Sequence, residues 1–188
     1  RLFCIWVCFF CLSDVQSQSL EWAIGIGGTN QTDGNSVAVD GAGNVIIGGD
    51  FSGTVDFDPG PGVDSLANLS SVDDFVAKYD SLGNFLWVTR FNNFGPYGYN
   101  KVKCVKTDSS GNIYAAGYLT YGKAFVAKLD SNGYLEWQRN FVYNTGSTNI
   151  YNSCNSIDID DSGNVYATGF FYGTTTFSYS PLVQLTAV

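Results

Sequence analysis

An all-β chain assembled from repeated hairpins is the fold class this sequence predicts, and three observations carry the prediction. As the turn of a hairpin, the motif Asp-x-x-Gly, followed by Asn in all copies but one, recurs five times, at residues 40–44, 80–84, 108–112, 130–134 and 160–164. Alternating apolar runs flank every copy, the period of a strand with one face buried. Aromatic residues make up 16% of the chain and charged residues only 14%, a balance that suits sheets packed on sheets.

The chain opens on an apolar run, residues 2–12, followed by a polar stretch at 13–19. The run is shorter than the roughly 20 residues a membrane span needs. It reads as a secretory signal peptide lacking its first residues, with Val15-Gln16-Ser17 as the small-residue cleavage site. Residues 1–17 are thus the leader and residues 18–188 the repeat domain. Three of the five cysteines fall in the leader; Cys104 and Cys154 remain and need not pair.

Next comes Leu20-Glu21-Trp22, which matches Leu135-Glu136-Trp137: a last strand without the three strands that precede it elsewhere. The hairpins then alternate between two kinds. The first kind begins at Ser36, Cys104 and Ser156; its second strands carry Gly49, Gly117 and Gly169 at equivalent positions. The second kind is Phe75-Val-Ala-Lys78-Tyr-Asp80 and Phe125-Val-Ala-Lys128-Leu-Asp130, each ending in Trp87 or Trp137. In every copy Asp at the head of the turn accepts hydrogen bonds from the turn amides, and Gly supplies the left-handed residue that closes a type I hairpin. The equivalent glycines of the second strands are expected to let neighbouring sheets approach closely, and Lys78 and Lys128 are expected on a solvated strand face.

One hairpin of each kind gives a four-stranded antiparallel unit of about 50 residues, the size of a propeller blade. The expected architecture is a partial β-propeller: about two and a half blades plus one N-terminal closing strand, against the roughly 4–8 blades of a full ring. The sequence breaks off after Gly173-Thr-Thr-Thr-Phe177, a match to Gly53-Thr-Val-Asp-Phe57, where a third Phe-Val-Ala-Lys copy is due. The expectation is therefore of a longer polypeptide.

These motifs resemble the SBBP repeat proteins, a seven-bladed β-propeller family of bacterial secreted and surface proteins. The carriers are Ser36-Val-Ala-Val-Asp40, Asn164-Val-Tyr166-Ala-Thr-Gly169 and Phe75-Val-Ala-Lys-Tyr-Asp80-Ser-Leu-Gly-Asn-Phe-Leu-Trp87. The resemblance implies secretion or cell-surface display and no common reaction. Lys106 where a small residue is usual and Tyr134 in place of Asn depart from the pattern.

The chemistry-bearing candidates are few. Asp56, Asp58 and Asp64 stand at positions 1, 3 and 9 of a Gly-containing loop, as part of a calcium site would; a plain inter-strand loop with Asp turns is the alternative. Gly25-Ile-Gly27-Gly28 lacks the helix and the Lys-Ser/Thr pair of a phosphate loop, so a flexible turn suffices there. With no histidine, a Ser-His-Asp triad and His-ligated metal are excluded within this segment. The net charge of −8 argues against nucleic acid. The expected function is a non-catalytic scaffold with no cofactor, contacting a protein or glycan partner. The alternatives are a carbohydrate- or calcium-binding module of a larger adhesion protein, or part of a propeller lyase or hydrolase.

Overall fold

The computed structural model describes residues 20–91, 98–120, 122–143, 152–179 and 182–186; the leader read at residues 1–17 lies outside them. Every regular element among the described residues is a strand. In chain order these are β1 (Gly27–Gly28), β2 (Thr32–Val39), β3 (Val45–Phe51), β4 (Thr54–Asp56), β5 (Ser65–Ala67), β6 (Asp73–Tyr79), β7 (Phe85–Thr89), β8 (Lys101–Thr107), β9 (Ile113–Leu119), β10 (Lys123–Leu129), β11 (Leu135–Tyr143), β12 (Ser153–Ile159), β13 (Val165–Phe170), β14 (Thr174–Tyr179) and β15 (Leu182–Thr186).

The sheets follow the repeat. β2-β3-β6-β7 is one antiparallel blade and β8-β9-β10-β11 the next, while β12-β13 is the inner half of a third. All five turns close alike. In the first, the Gly43 amide donates to the Asp40 carbonyl, and the Ala42 and Asn44 amides donate to Asp40 Oδ1 at 2.9 Å. Asn44 Nδ2 donates to Oδ2 at 2.8 Å. Gly43 has φ 83°, where a Cβ costs roughly 1–2 kcal/mol.

The hairpins between blades add a layer that strand periodicity alone does not specify. β4–β5 pairs with β1, Gly27 opposite Asp56 and Gly28 opposite Val55. β14–β15 pairs with the end of β11 in the same register, Val142 opposite Thr176 and Tyr143 opposite Thr175. Each such hairpin thus clasps the last strand of the preceding unit, and the second sheet grows to six strands, β15-β14-β11-β10-β9-β8. Gly27 and Gly28, expected in a flexible turn, are strand residues: a Cβ on Gly28 would stand 1.9 Å from the Thr54 carbonyl oxygen.

Both faces of the first blade are apolar, and alternate residues go to different cores. Val45, Ile47, Phe75, Ala77 and Tyr79 pack with Ile26, Val55 and Phe57 on one side. Ile46 and Val76 pack with Val102, Val105 and Phe125 of the second blade on the other. Each such buried side chain contributes about 1.5–3 kcal/mol. Trp22 and Ile24 also lie against the first face. Val37 of β2 is 51% exposed: no blade precedes this face of β2 in the described chain.

The glycines of the second strands act within a blade rather than between blades. Gly49, Gly117 and Gly169 face register shifts at Gly34/Ser36, Val102/Cys104 and Cys154/Ser156. Added Cβ atoms would stand 1.9–2.0 Å from the carbonyl oxygens of Asp33, Lys101 and Ser153. The bulge pushes the inner strand's backbone into the space a side chain needs. Close approach of the next blade falls instead to Gly48, whose Cβ would stand 2.6 Å from Cγ1 of both Val102 and Val105.

Gly117→Ala is expected to lower stability by about 1–3 kcal/mol through this backbone clash. Gly41→Ala, in open space, should stay within about 0.5 kcal/mol of wild type. Urea denaturation of the two variants checks the contrast.

Candidate functional site

The turn ends of the first two blades enclose a polar cleft of about 730 Å³, walled by Asp40, Lys78, Leu86, Trp87, Ser110 and Asn132 among others. Three elements built by the repeat meet there: the Asp40 turn after β2, the Asp108 turn after β8 and the Asp130 turn after β10.

Lys78 sits at its base. It comes from β6, is 4% exposed and forms an ion pair with Asp40 Oδ2 at 2.9 Å. It also donates to the Ser131 carbonyl of the second blade at 3.2 Å. The expected solvated position is therefore corrected. The cause is cross-strand geometry: Lys78 lies opposite Ile46 on the face that meets the second blade. Its counterpart Lys128 lies opposite Tyr114; there the Tyr114 hydroxyl donates to Asp108, and Lys128 pairs with Glu136 at 2.8 Å. Ile46 cannot satisfy Asp40, so lysine does. Burial alone would raise the Asp40 carboxyl; bonds from Asn44, Lys78 and the turn amides outweigh it and hold the group at about 2.

Trp87 closes the opposite wall. Its Nε1 donates to the Ser131 carbonyl at 3.3 Å, and its ring lies on Gly133, where a Cβ would stand 2.8 Å from Cε3. Trp22 does the same one blade earlier, donating to Ser81 at 3.0 Å beside Gly83. The tryptophans therefore serve as inter-blade clasps seated on the turn glycines.

A second polar seam runs along the inner strands. Asn35 Nδ2 donates to the Val102 carbonyl at 2.9 Å, the Val105 amide to Ser36 Oγ at 3.0 Å and Thr107 Oγ1 to the Val39 carbonyl at 3.0 Å. Lys101 pairs with Asp50 at 2.9 Å. Asp74, opposite Asp50, accepts from the Phe91 amide at 2.8 Å; burial pushes it up to about 7. Lys106 and Asp158 pair across the next seam at 3.6 Å, both exposed.

Asp56 is the last residue of β4, and Asp58 and Asp64 lie in the loop that joins β4 to β5. Asp56 Oδ1 accepts from the amides of Asp58 at 3.1 Å and Asp64 at 2.9 Å, and Asp58 Oδ1 from Gly60 at 2.8 Å. The Tyr79 hydroxyl anchors the loop through the Phe57 carbonyl at 2.8 Å. Among the described residues no three His, Cys, Asp or Glu side chains are grouped closely enough to hold a metal ion. Cys104 and Cys154 are free thiols buried in one apolar cluster; burial, with Cys104 nearby, pushes Cys154 up to about 11.

No family model matches the chain. Among curated proteins it is similar to the Uncharacterized WD repeat-containing protein L264 of Acanthamoeba polyphaga mimivirus, 23% identical over 205 residues, a match covering 86% of this chain and 14% of the relative. Among solved structures it is similar to a protein of unknown function from Bacteroides caccae, with a TM-score of 0.48 and 13% identity over 92% of this chain and 50% of that one. The chain thus spans a small part of the curated relative and half of the solved chain. The distant WD-repeat relative agrees with a propeller-like repeat fold. Among the described residues no helix is long and apolar enough to cross a membrane.

Lys78→Met should cost about 3 kcal/mol, because it strands a buried carboxylate. Asp40's lowered pKa stabilises the fold above the ordinary value of 3.8 and ceases to do so as pH falls through about 2. The gap between wild type and variant should therefore narrow over that window in urea melts. Calorimetric titration should give no saturable heat up to millimolar Ca²⁺; heat that Asp58→Asn abolishes would restore the metal reading of the loop.

Proposed function

We propose that this chain belongs to a repeat scaffold of the SBBP type, secreted or displayed at a cell surface, that contacts protein or glycan partners through the turn ends of its blades and catalyses no reaction. The observation that carries this reading is the cleft between the first two blades. The sheet faces are engaged in packing blade on blade, so the turns are where the repeat presents exposed polar groups at fixed spacing. In the cleft, hydroxyl and amide side chains of Ser109, Ser110 and Asn132 stand beside the apolar wall of Leu86 and Trp87, a pairing that suits an amphipathic surface such as a sugar ring or a peptide edge. The buried Lys78–Asp40 pair fixes the cleft's shape rather than offering a free charge. The WD-repeat designation of the distant relative supports a scaffold role.

The test is binding of the labelled protein to a glycan array and to intact bacterial surfaces, together with turnover assays on a polysaccharide panel. The expected result is saturable binding, weakened at least tenfold by Ser110→Tyr with Asn132→Ala at an unchanged Tm, and no turnover. Cleavage of any polysaccharide, or binding indifferent to these substitutions, would overturn the proposal.

A further inference from the structure

The third blade ends in a strand that the rest of the fold does not cover. β3 is wholly buried and β9 almost so, whereas five of the six residues of β13 are exposed. The reason is pairing: β3 is followed across the sheet by β6 and β9 by β10, while β13 pairs with β12 alone in a two-stranded sheet. Its other edge carries a row of unpaired backbone groups among the described residues.

Beside that edge lies an apolar cleft of about 320 Å³, lined by Phe141, Gly169, Phe170, Phe171 and Phe177 with Cys154. The first blade shows what fills such a space. There Phe51 and Phe57 meet edge-on, centroids 5.7 Å apart at 85°. Their repeat equivalents Phe171 and Phe177 meet at 5.5 Å and 83°. In the first blade a third ring completes the group: Phe75 of β6 lies opposite Gly49, 4.9 Å from Phe57 and 6.3 Å from Phe51. Gly169 is the equivalent of Gly49, and the cleft lies where the third ring would enter.

The opposite face of β13 carries a separate sign of the same occupant. In the second blade Tyr114 donates to Asp108 while Lys128 of the neighbouring strand stands over its ring, 5.8 Å from the centroid. Tyr166 repeats the bond, donating to Asp160 at 3.1 Å, but its ring is 60% exposed. The tyrosine and carboxylate are already arranged for a cation.

We propose that the free edge of β13, with the aromatic cleft on one face and the Tyr166–Asp160 pair on the other, is a strand-acceptor site for an antiparallel strand of this protein's own Phe-Val-Ala-Lys type. The registers shared by β3–β6 and β9–β10 fix the fit: Phe opposite Gly169, Val opposite Thr168, Ala opposite Ala167 and Lys opposite Tyr166. Because residues three apart on a strand point to opposite faces, the site reads both faces at once. Main-chain pairing supplies the attraction, and the ring and the ammonium supply selectivity. This inference does not depend on the turn-end cleft.

A fluorescently labelled peptide of residues 73–89, added to the 188-residue chain and followed by anisotropy, tests it. Saturable binding is expected. The Phe75→Ala peptide should bind at least tenfold more weakly, and the Lys78→Glu peptide several-fold more weakly. The Lys78→Glu deficit should persist on the Tyr166→Ala protein, where Asp160 is left to meet the ammonium as Asp40 meets Lys78, and should vanish when Asp160→Asn is added to it. Amide exchange along β13 should slow when the peptide binds. Equal binding of a scrambled or Phe75→Ala peptide would overturn the proposal. So would a dimer of the chain that saturating peptide fails to dissociate, since a second copy would then hold this edge by another element.

Discussion

Each blade of this protein is a sheet with two apolar faces, and no sheet can cover its own faces. That constraint orders the rest of the structure. In β3 and β6, alternate residues enter two separate cores: Ile46 and Val76 face the second blade, while Val45, Ile47 and Phe75 face the closing residues near Trp22 and the β4–β5 hairpin. A blade is stable only between neighbours, the one-dimensional logic of repeat proteins. Where a neighbour is lacking in the described chain, side chains of the same type come out into solvent. Val37 and Tyr166 are exposed while their equivalents Val105 and Tyr114 are buried.

Because the sheet faces are committed to packing, specificity between blades is set at their margins. Two kinds of contact recur there. One is a tryptophan lying on the turn glycine of the next blade and donating to a serine carbonyl, seen for Trp22, from the segment before β1, on Gly83 and for Trp87 of β7 on Gly133. The other is a polar seam in which a side chain of one inner strand meets the backbone of the next, as Asn35 and Ser36 do with Val102 and Val105. Burial of these polar groups is tolerable only because each meets a partner of fixed geometry. The Lys78–Asp40 pair belongs to the same system. It satisfies the Asp40 carboxylate, whose counterpart Asp108 accepts from the Tyr114 hydroxyl in the next blade, and it draws the Ser131 turn against the first blade. The turn-end cleft is therefore a by-product of how the blades are registered, and its rigidity follows from that registration.

The five hairpins were fully legible in the residues. Asp and Gly at fixed offsets have a single local solution, and the structure realises it five times with the same backbone and carboxylate–amide bonds, to which Asn adds a side-chain bond in four. The pairing of β3 with β6 and β9 with β10 was legible through the alternation of the two hairpin kinds. The glycines at 49, 117 and 169 stand out by their equivalent positions in the repeat, but the reason for them is not local. Strand periodicity does not announce a bulge on the opposite strand, and it is that bulge that excludes a side chain. Likewise Asp56 and Asp58 have the spacing of cation ligands, and the fold turns Oδ1 of each to amides of their own loop.

What the sequence by itself determined is the set of local units: where the chain turns, which residues alternate, and how often the pattern returns. These depend on contacts within a few residues, and so they are written in short motifs. What only the tertiary structure decided is which units face one another and what lies between them. Lys78 and Lys128 stand in nearly identical motifs, yet one is locked in an inter-blade ion pair and the other meets Glu136 beside its own tyrosine. The difference lies in a single cross-strand neighbour, Ile46 against Tyr114. A side chain's environment is fixed by residues distant in the chain, and no local motif carries that information.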